Sequence, residues 1–291
     1  MSFARPQYLV ETEWLSQHLD DPGVRVLECT VYLHPKPEGG FRAESGVAKW
    51  KESHIPGAGF ADLTGELSAK DGPAHLLYMM PPAAQLAAEM GRLGAGDGVR
   101  VILYDRAVNM WAARVWWMLR ASGFENAAVL NGGWKKWTVE KRPVASDAGA
   151  RPARRFVAKP RTDLFVDKQA VLAGVGDRAT CLINALTEEQ HRGTGGVAYG
   201  RPGRIAGSTN VVARDLVDPT THAYLPADVL REKFKAAGAL DAGRVITYCG
   251  GGIAASSGAF VLMLLGKDDV AVYDASLSEW ARDPSLPMER D

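Results

Sequence analysis

The sequence predicts an α/β fold built twice: two tandem domains, each a mainly parallel sheet flanked by helices. Three observations carry this. Blocks recur in one order: HIPGAGFADL (54–63), VRVILYD (99–105) and AAVLNGGWKKW (127–137), then RIAGSTNVVARDL (204–216), GRVITYC (243–249) and VAVYDASLSEW (270–280). The steps from His54 to Arg204, Asp105 to Cys249 and Trp137 to Trp280 are 150, 144 and 143 residues, nearly constant and too long for a solenoid. The length, 291 residues, suits two domains at about 150 residues each.

Each copy alternates strand and helix patterns. Val24–Glu28 and Thr180–Asn184 read as first strands. Val99–Tyr104 and Val245–Tyr248 are near-continuous apolar runs, as expected of strands buried on both faces. Trp111–Arg120 and Ala254–Leu265 read as helices, and Ala127–Leu130 and Val270–Tyr273 as further strands. Strand, helix, strand in sequence implies a parallel sheet with right-handed crossovers. The stretch 141–162, KRPVASDAGARPARRFVAKPRT, is rich in Pro, Ala and Arg and lacks an apolar period. It reads as the linker, dividing the chain into 1–148 and 149–291.

Composition excludes several classes. Lys and Arg number 34 and Asp and Glu number 34, so a nucleic-acid partner is not expected. No apolar run approaches the roughly 20 residues of a membrane helix, and the opening MSFARPQYLVETEW has acidic residues where a signal peptide needs an apolar core. A cytoplasmic location without a membrane partner is therefore expected. The three cysteines, Cys29, Cys181 and Cys249, are scattered and form no CxxC pair, so neither a disulfide framework nor a zinc site is implied.

The sharpest feature is Tyr248-Cys-Gly-Gly-Gly-Ile-Ala-Ala-Ser256, in which an apolar strand ends on a cysteine, three glycines follow and a helix begins. Glycines allow successive amide N–H groups to turn toward one point, and the helix N-terminus adds its positive end. Both favour an anion, and the nearest is the Cys249 thiolate, which reads as a nucleophile. Cys29 and Cys181, inside apolar runs, read as small buried hydrophobes. Two other readings of the loop are weaker. Gly250-x-Gly252-x-x-Ala255, with Asp274 further on, formally matches a dinucleotide fingerprint, but too little chain follows and the first copy has Asp105-Arg-Ala-Val-Asn-Met instead. A cysteine phosphatase needs an arginine six positions after its nucleophile, where this chain has Ala255.

With TEWLSQHLDDPGVRVLECT (12–30), HIPGA (54–58), RVWWMLRASG (114–123), VLNGGWKKW, YCGGGIAAS and VYDASLSEW, the chain resembles a tandem-domain sulfurtransferase of the rhodanese superfamily along nearly its whole length. The resemblance implies two rhodanese-like domains, the first (1–148) non-catalytic and the second (149–291) catalytic. It implies transfer of a sulfane sulfur from thiosulfate or 3-mercaptopyruvate to a thiol or cyanide, through a persulfide on Cys249 and without metal or organic cofactor. Gly250, Gly251, Gly252, Ile253, Ala254 and Ala255 match its substrate-binding loop. Asp105 at the cysteine's place in the first domain fits a silent copy. The competing reading is a non-catalytic rhodanese-like binding or sulfur-sensing module, which would need neither Cys249 nor its glycines.

The chain departs from the family pattern around the donor. Gly251 replaces the Ser or Ala of mercaptopyruvate-type loops, no basic residue of the thiosulfate type is present, and Asn184-Ala-Leu186 stands where Asp-x-Arg is usual. Arg192, Arg201 and Arg204 are the neighbouring substitutes expected to bind the donor, and His54 of HIPGA is expected near the site. Trp111, Trp116, Trp117, Trp134 and Trp137 read as filling a core or domain interface.

Overall fold

The computed structural model describes residues 2–36, 40–147 and 151–291. The first unit has strands β1 (Leu9–Val10), β2 (Val24–Glu28), β3 (Val31–Pro35), β4 (Phe41–Ser45), β5 (Gly59–Phe60), β6 (Arg100–Tyr104) and β7 (Ala127–Leu130). Its helices are α1 (Thr12–Gln17), α2 (Val47–Glu52), α3 (Ala83–Arg92), α4 (Met110–Ala121) and α5 (Gly133–Val139). The second has β8 (Phe165–Val166), β9 (Thr180–Asn184), β10 (Arg204–Ile205), β11 (Thr209–Asn210), β12 (Arg244–Tyr248), β13 (Val270–Tyr273) and β14 (Met288–Glu289). With them go α6 (Lys168–Gly174), α7 (Glu188–Arg192), α8 (Ala227–Ala236), α9 (Ile253–Leu264) and α10 (Ser276–Trp280).

The duplication is visible in the topology. The first sheet has the order β1-β7-β6-β2-β5 and the second, read from its matching edge, β8-β13-β12-β9-β11; every neighbouring pair is parallel. The central strands β6 and β12 are buried except at their first residue, which is why they read as continuous apolar runs. Glu28 pairs with Tyr104 and Asn184 with Tyr248, so Asp105 and Cys249 come next, at the carboxyl ends of the two central strands. The tyrosines repeat too: Tyr104 Oη accepts from the Ile55 amide at 3.2 Å, and Tyr248 Oη from the Ile205 amide at 3.0 Å. Sequence pattern did not reveal the antiparallel hairpin β3–β4, an excursion with no counterpart in the second copy.

Helices α4 and α9 pack against each other across the domain junction, with Trp116 edge-on to Phe260 at 4.9 Å. Each is covered by its own sheet on one side and the other helix on the other, so apolar residues encircle it. Trp111, Trp116 and Trp117 are buried at this junction and Trp137 in the first domain's other apolar cluster. Trp134 is half-buried, under the Arg106 guanidinium at 4.1 Å.

The expected boundary between residues 148 and 149 lies outside the described residues. From Arg151 onward the chain lies along the first domain: the amides of Arg154, Lys159 and Arg161 donate to the carbonyls of Gly91, Ser122 and Ala121 at 2.9, 2.7 and 2.7 Å. At the other end, the amides of Ala4 and Arg5 donate to the Leu264 carbonyl of α9, and Arg5 pairs with Asp268. No helix among the described residues is long and apolar enough to cross a membrane.

Candidate active site

Cys249 directly follows β12 and lines the floor of a cleft of about 870 Å³ between the domains. The first domain contributes Leu33, Phe41, His75, Leu77, Tyr78 and Trp111 to its walls. The second contributes Leu186, Tyr199, Arg214, Gly250, Ile253 and Arg282. The other two thiols are elsewhere. Burial, then the nearby Asp105 and Glu28 charges, push the Cys29 thiol well up, and burial pushes Cys181 up. Neither is poised to ionise near neutral pH, which agrees with their reading as apolar filler.

The loop after Cys249 is held from behind by the start of α10. Ser276 Oγ accepts from the amides of Cys249 and Gly252 at 3.0 and 3.2 Å and donates to the Tyr273 carbonyl at 2.7 Å. The Cys249 carbonyl accepts from the Leu277 amide, and the Gly250 carbonyl from both the amide and the hydroxyl of Ser278. Gly252 takes φ +78° to turn the chain into α9. A side chain there would also press on Asp274 and Arg114. With those amides and carbonyls engaged, the amides of Gly250, Gly251, Ile253, Ala254 and Ala255 have no acceptor among the described residues. Unengaged amides gathered at a helix N-terminus make a cradle of the kind that suits an anion.

The first domain shows the same cradle filled. The Asp105 carboxylate accepts from the amides of Ala107, Asn109, Trp111 and Ala112 at 2.8, 3.1, 2.9 and 3.0 Å. Asn109 at φ +64° turns that loop into α4, as Gly252 does for α9. Asp105 is wholly buried; burial raises its pKa, and the four amides pull the other way.

The structure gathers Cys249 and residues 250–255 at one place, but not the other expected site residues. Arg192 is an exposed charge paired with Glu188 and Asp291. Arg204 pairs with Asp291 and Glu289. The Arg201 guanidinium is spent on the carbonyls of Trp280, Ala281, Asp283 and Leu286. None of the three lines the cleft over Cys249. Their guanidinium groups are engaged by other parts of the chain, mostly its C-terminal segment and, for Arg192, also Glu188. His54 is fully buried, stacked on Trp50 at 4.9 Å with Nδ1 2.7 Å from the Trp50 carbonyl oxygen; it too stays away from the cleft. His75 and His222 line the cleft instead. The dinucleotide reading loses its acid, because Asp274 is paired with Arg114 at 2.6 Å and accepts from the Met80 amide at 2.8 Å.

Several residues of the site escaped sequence reasoning: His75, Tyr78, Tyr199, Arg214, Ser276 and Arg282. For Ser276 a signal existed. The repeat sets it opposite Gly133, and both take a left-handed conformation, φ +50° and +47°. A serine held in a left-handed conformation where the other copy has a glycine has a reason to be there.

Three kinds of comparison bear on this arrangement. The Rhodanese-like domain family matches residues 11–140 and 177–283. A thiosulfate sulfurtransferase of Gallus gallus is 32% identical over 282 residues, covering 94% of this chain and 92% of its own. A probable 3-mercaptopyruvate sulfurtransferase of Pseudomonas aeruginosa is 29% identical, covering 96% and 97%. The crystal structure of SseA from Escherichia coli, described as a 3-mercaptopyruvate sulfotransferase, superposes with a TM-score of 0.80 at 27% identity over 92% of this chain and 98% of its own.

Proposed function

The chain belongs to the rhodanese-like family and is a sulfurtransferase, and from that premise we propose that Cys249 carries the sulfur and that residues 250–255 hold the anions around it. The observation that carries this reading is the group of five amides without an acceptor among the described residues, in the loop that follows the cysteine lining the cleft. The Cys249 thiolate attacks the outer sulfur of the donor, forming an S–S bond. The donor's bond to that sulfur breaks, and its electron pair leaves on sulfite or on the enolate of pyruvate, which then takes a proton. The loop amides stabilise the anionic donor and then the persulfide. An acceptor thiolate or cyanide attacks the outer persulfide sulfur, and the pair returns to Cys249.

Arg214 and Arg282 border the cleft and have no carboxylate within 4 Å among the described residues, so they are free to attract an anionic donor. No cation stands in the loop itself. That favours 3-mercaptopyruvate, whose charge lies away from its sulfur, over the compact dianion thiosulfate. Three free thiols suit a reducing, cytoplasmic location.

The test is mass spectrometry after incubation with each donor. One added sulfur, roughly 32 Da, is expected as a persulfide, mapping to Cys249 and absent from Cys249→Ser. An added mass on Cys29 or Cys181, or retained transfer in Cys249→Ser, overturns the assignment. The ratio of kcat/KM for the two donors with cyanide as common acceptor settles the preference.

A further inference from the structure

Tyr199 touches the loop in a way that no part of the sulfur-transfer scheme above uses. A Cβ placed on Gly250 would fall 1.9 Å from Tyr199 Cζ and 2.2 Å from its Oη. The phenol therefore fills the volume into which any side chain at position 250 would project. Gly250 needs no unusual dihedral for this; its smallness is what admits the ring. Tyr199 and Cys249 both line the interdomain cleft, and Tyr199 also closes a second, smaller pocket of about 270 Å³ beside it.

The ring is placed by a braced segment. Arg201, two residues on, ties the loop to four carbonyls at the end of α10 and beyond it. Gln190 Nε2 donates to the Val197 carbonyl at 2.9 Å on the other side. One of the three arginines expected to bind the donor is thus the anchor of the residue that packs on Gly250. The Tyr199 hydroxyl itself has no hydrogen-bond partner among the described residues. Burial and the Cys249 charge keep it protonated well beyond neutral pH. It is a neutral donor with a free hydrogen, in a loop region that has no side-chain cation.

We propose that Tyr199 is the specificity-determining residue of the donor site: its hydroxyl donates a hydrogen bond to the anionic group of the sulfur donor over Cys249, and Gly250 is glycine to make room for it. This rests on Cys249 being the sulfur carrier. A single neutral donor fits a donor with one localised oxyanion better than a compact dianion, so the substrate class is a carboxylate-bearing organic sulfur compound.

The experiment separates the two half-reactions on the full chain. Persulfide loading is followed by mass with 3-mercaptopyruvate and with thiosulfate, and discharge with cyanide. Tyr199→Phe keeps the ring and removes the hydroxyl. A fall of about tenfold or more in loading kcat/KM for 3-mercaptopyruvate is expected, carried mainly by KM, with discharge and melting temperature unchanged. Gly250→Ala should block loading through the ring, and Tyr199→Ala combined with Gly250→Ala should load faster than Gly250→Ala alone. Unchanged loading in Tyr199→Phe, an equal loss in both half-reactions, or a fully active Gly250→Ala overturns the proposal. A wild-type chain that takes no sulfur onto Cys249 defeats the underlying reading instead.

Discussion

Arg114 of α4 and Asp274 just after β13 meet at 2.6 Å with both side chains buried, so the two domains share an ion pair beside Gly252 of the cysteine loop. Arg114 also donates to the Tyr78 carbonyl, and Asp274 accepts from the Met80 amide. The cleft wall at 78–80 and the loop floor are therefore fixed to one another. Asp274→Ala would leave the guanidinium in a desolvated junction with one carbonyl for company. A loss of about 3–5 kcal/mol is expected, read by denaturant unfolding, because breaking a buried pair strands its partner. A change within experimental error would mean that water reaches Arg114.

Ser276 carries two duties that substitutions can separate. Ser276→Gly relieves the left-handed backbone but removes the acceptor for the Cys249 and Gly252 amides. Ser276→Ala loses the acceptor and keeps the strain. Both should slow sulfur loading, by about tenfold if loop geometry is the controlling factor, and Ala should melt lower than Gly by about 1 kcal/mol of stability. Equal loading in Ser276→Gly and the wild type would show that the loop holds its shape unaided.

Asp105 cannot carry sulfur, yet it is not dispensable. Asp105→Ala would strip four amides, three of them buried, of their acceptor, at an expected cost of at least about 3 kcal/mol. Transfer per folded molecule should be little changed, since the cleft sulfur is in the other domain. Calorimetry paired with activity corrected for folded fraction checks both halves.

His191 gives a pH signature. Burial, with Arg204 and Arg192 nearby and only partly offset by Asp291 and Glu289, lowers its pKa from 6.5 to about 4. The unfolded chain then binds the proton first as pH falls, so this stabilisation is full above about 6.5 and is lost progressively toward 4. The half-exposed ring makes the effect small. His191→Gln should flatten the stability profile across that window and leave it unchanged above pH 7.

The strands and the cysteine loop were legible because their causes are local. A strand buried on both faces is mostly apolar, and β2, β7, β9 and β13 fall where the sequence sets them, with Arg25 and Glu28 of β2 and Asn184 of β9 as buried polar exceptions. The glycines after Cys249 announce a backbone-lined loop for the same reason. At Arg201, Arg204 and His54 the sequence does not reveal what else competes for a charged or polar residue near a motif. The competitors here, carbonyls at 280–286, carboxylates at 289 and 291 and the Trp50 carbonyl, are long-range or depend on side-chain orientation. The cleft walls at 75–78 and 199 sit in irregular loops without periodicity, so only the folded chain brings them to the sulfur.

The extended run from Arg151 to Arg161, laced to the first domain, and the N-terminal hook of Ala4 and Arg5 on α9 cross in opposite directions. A protease that cuts near residue 147 would therefore yield two fragments still interlocked, each holding a piece of chain that grips the other. Such a nicked protein should travel as one particle in gel filtration and separate only in denaturant. For anyone dividing this molecule into halves, the practical cut lies after the strap, near residue 162, and the hook must be removed with it.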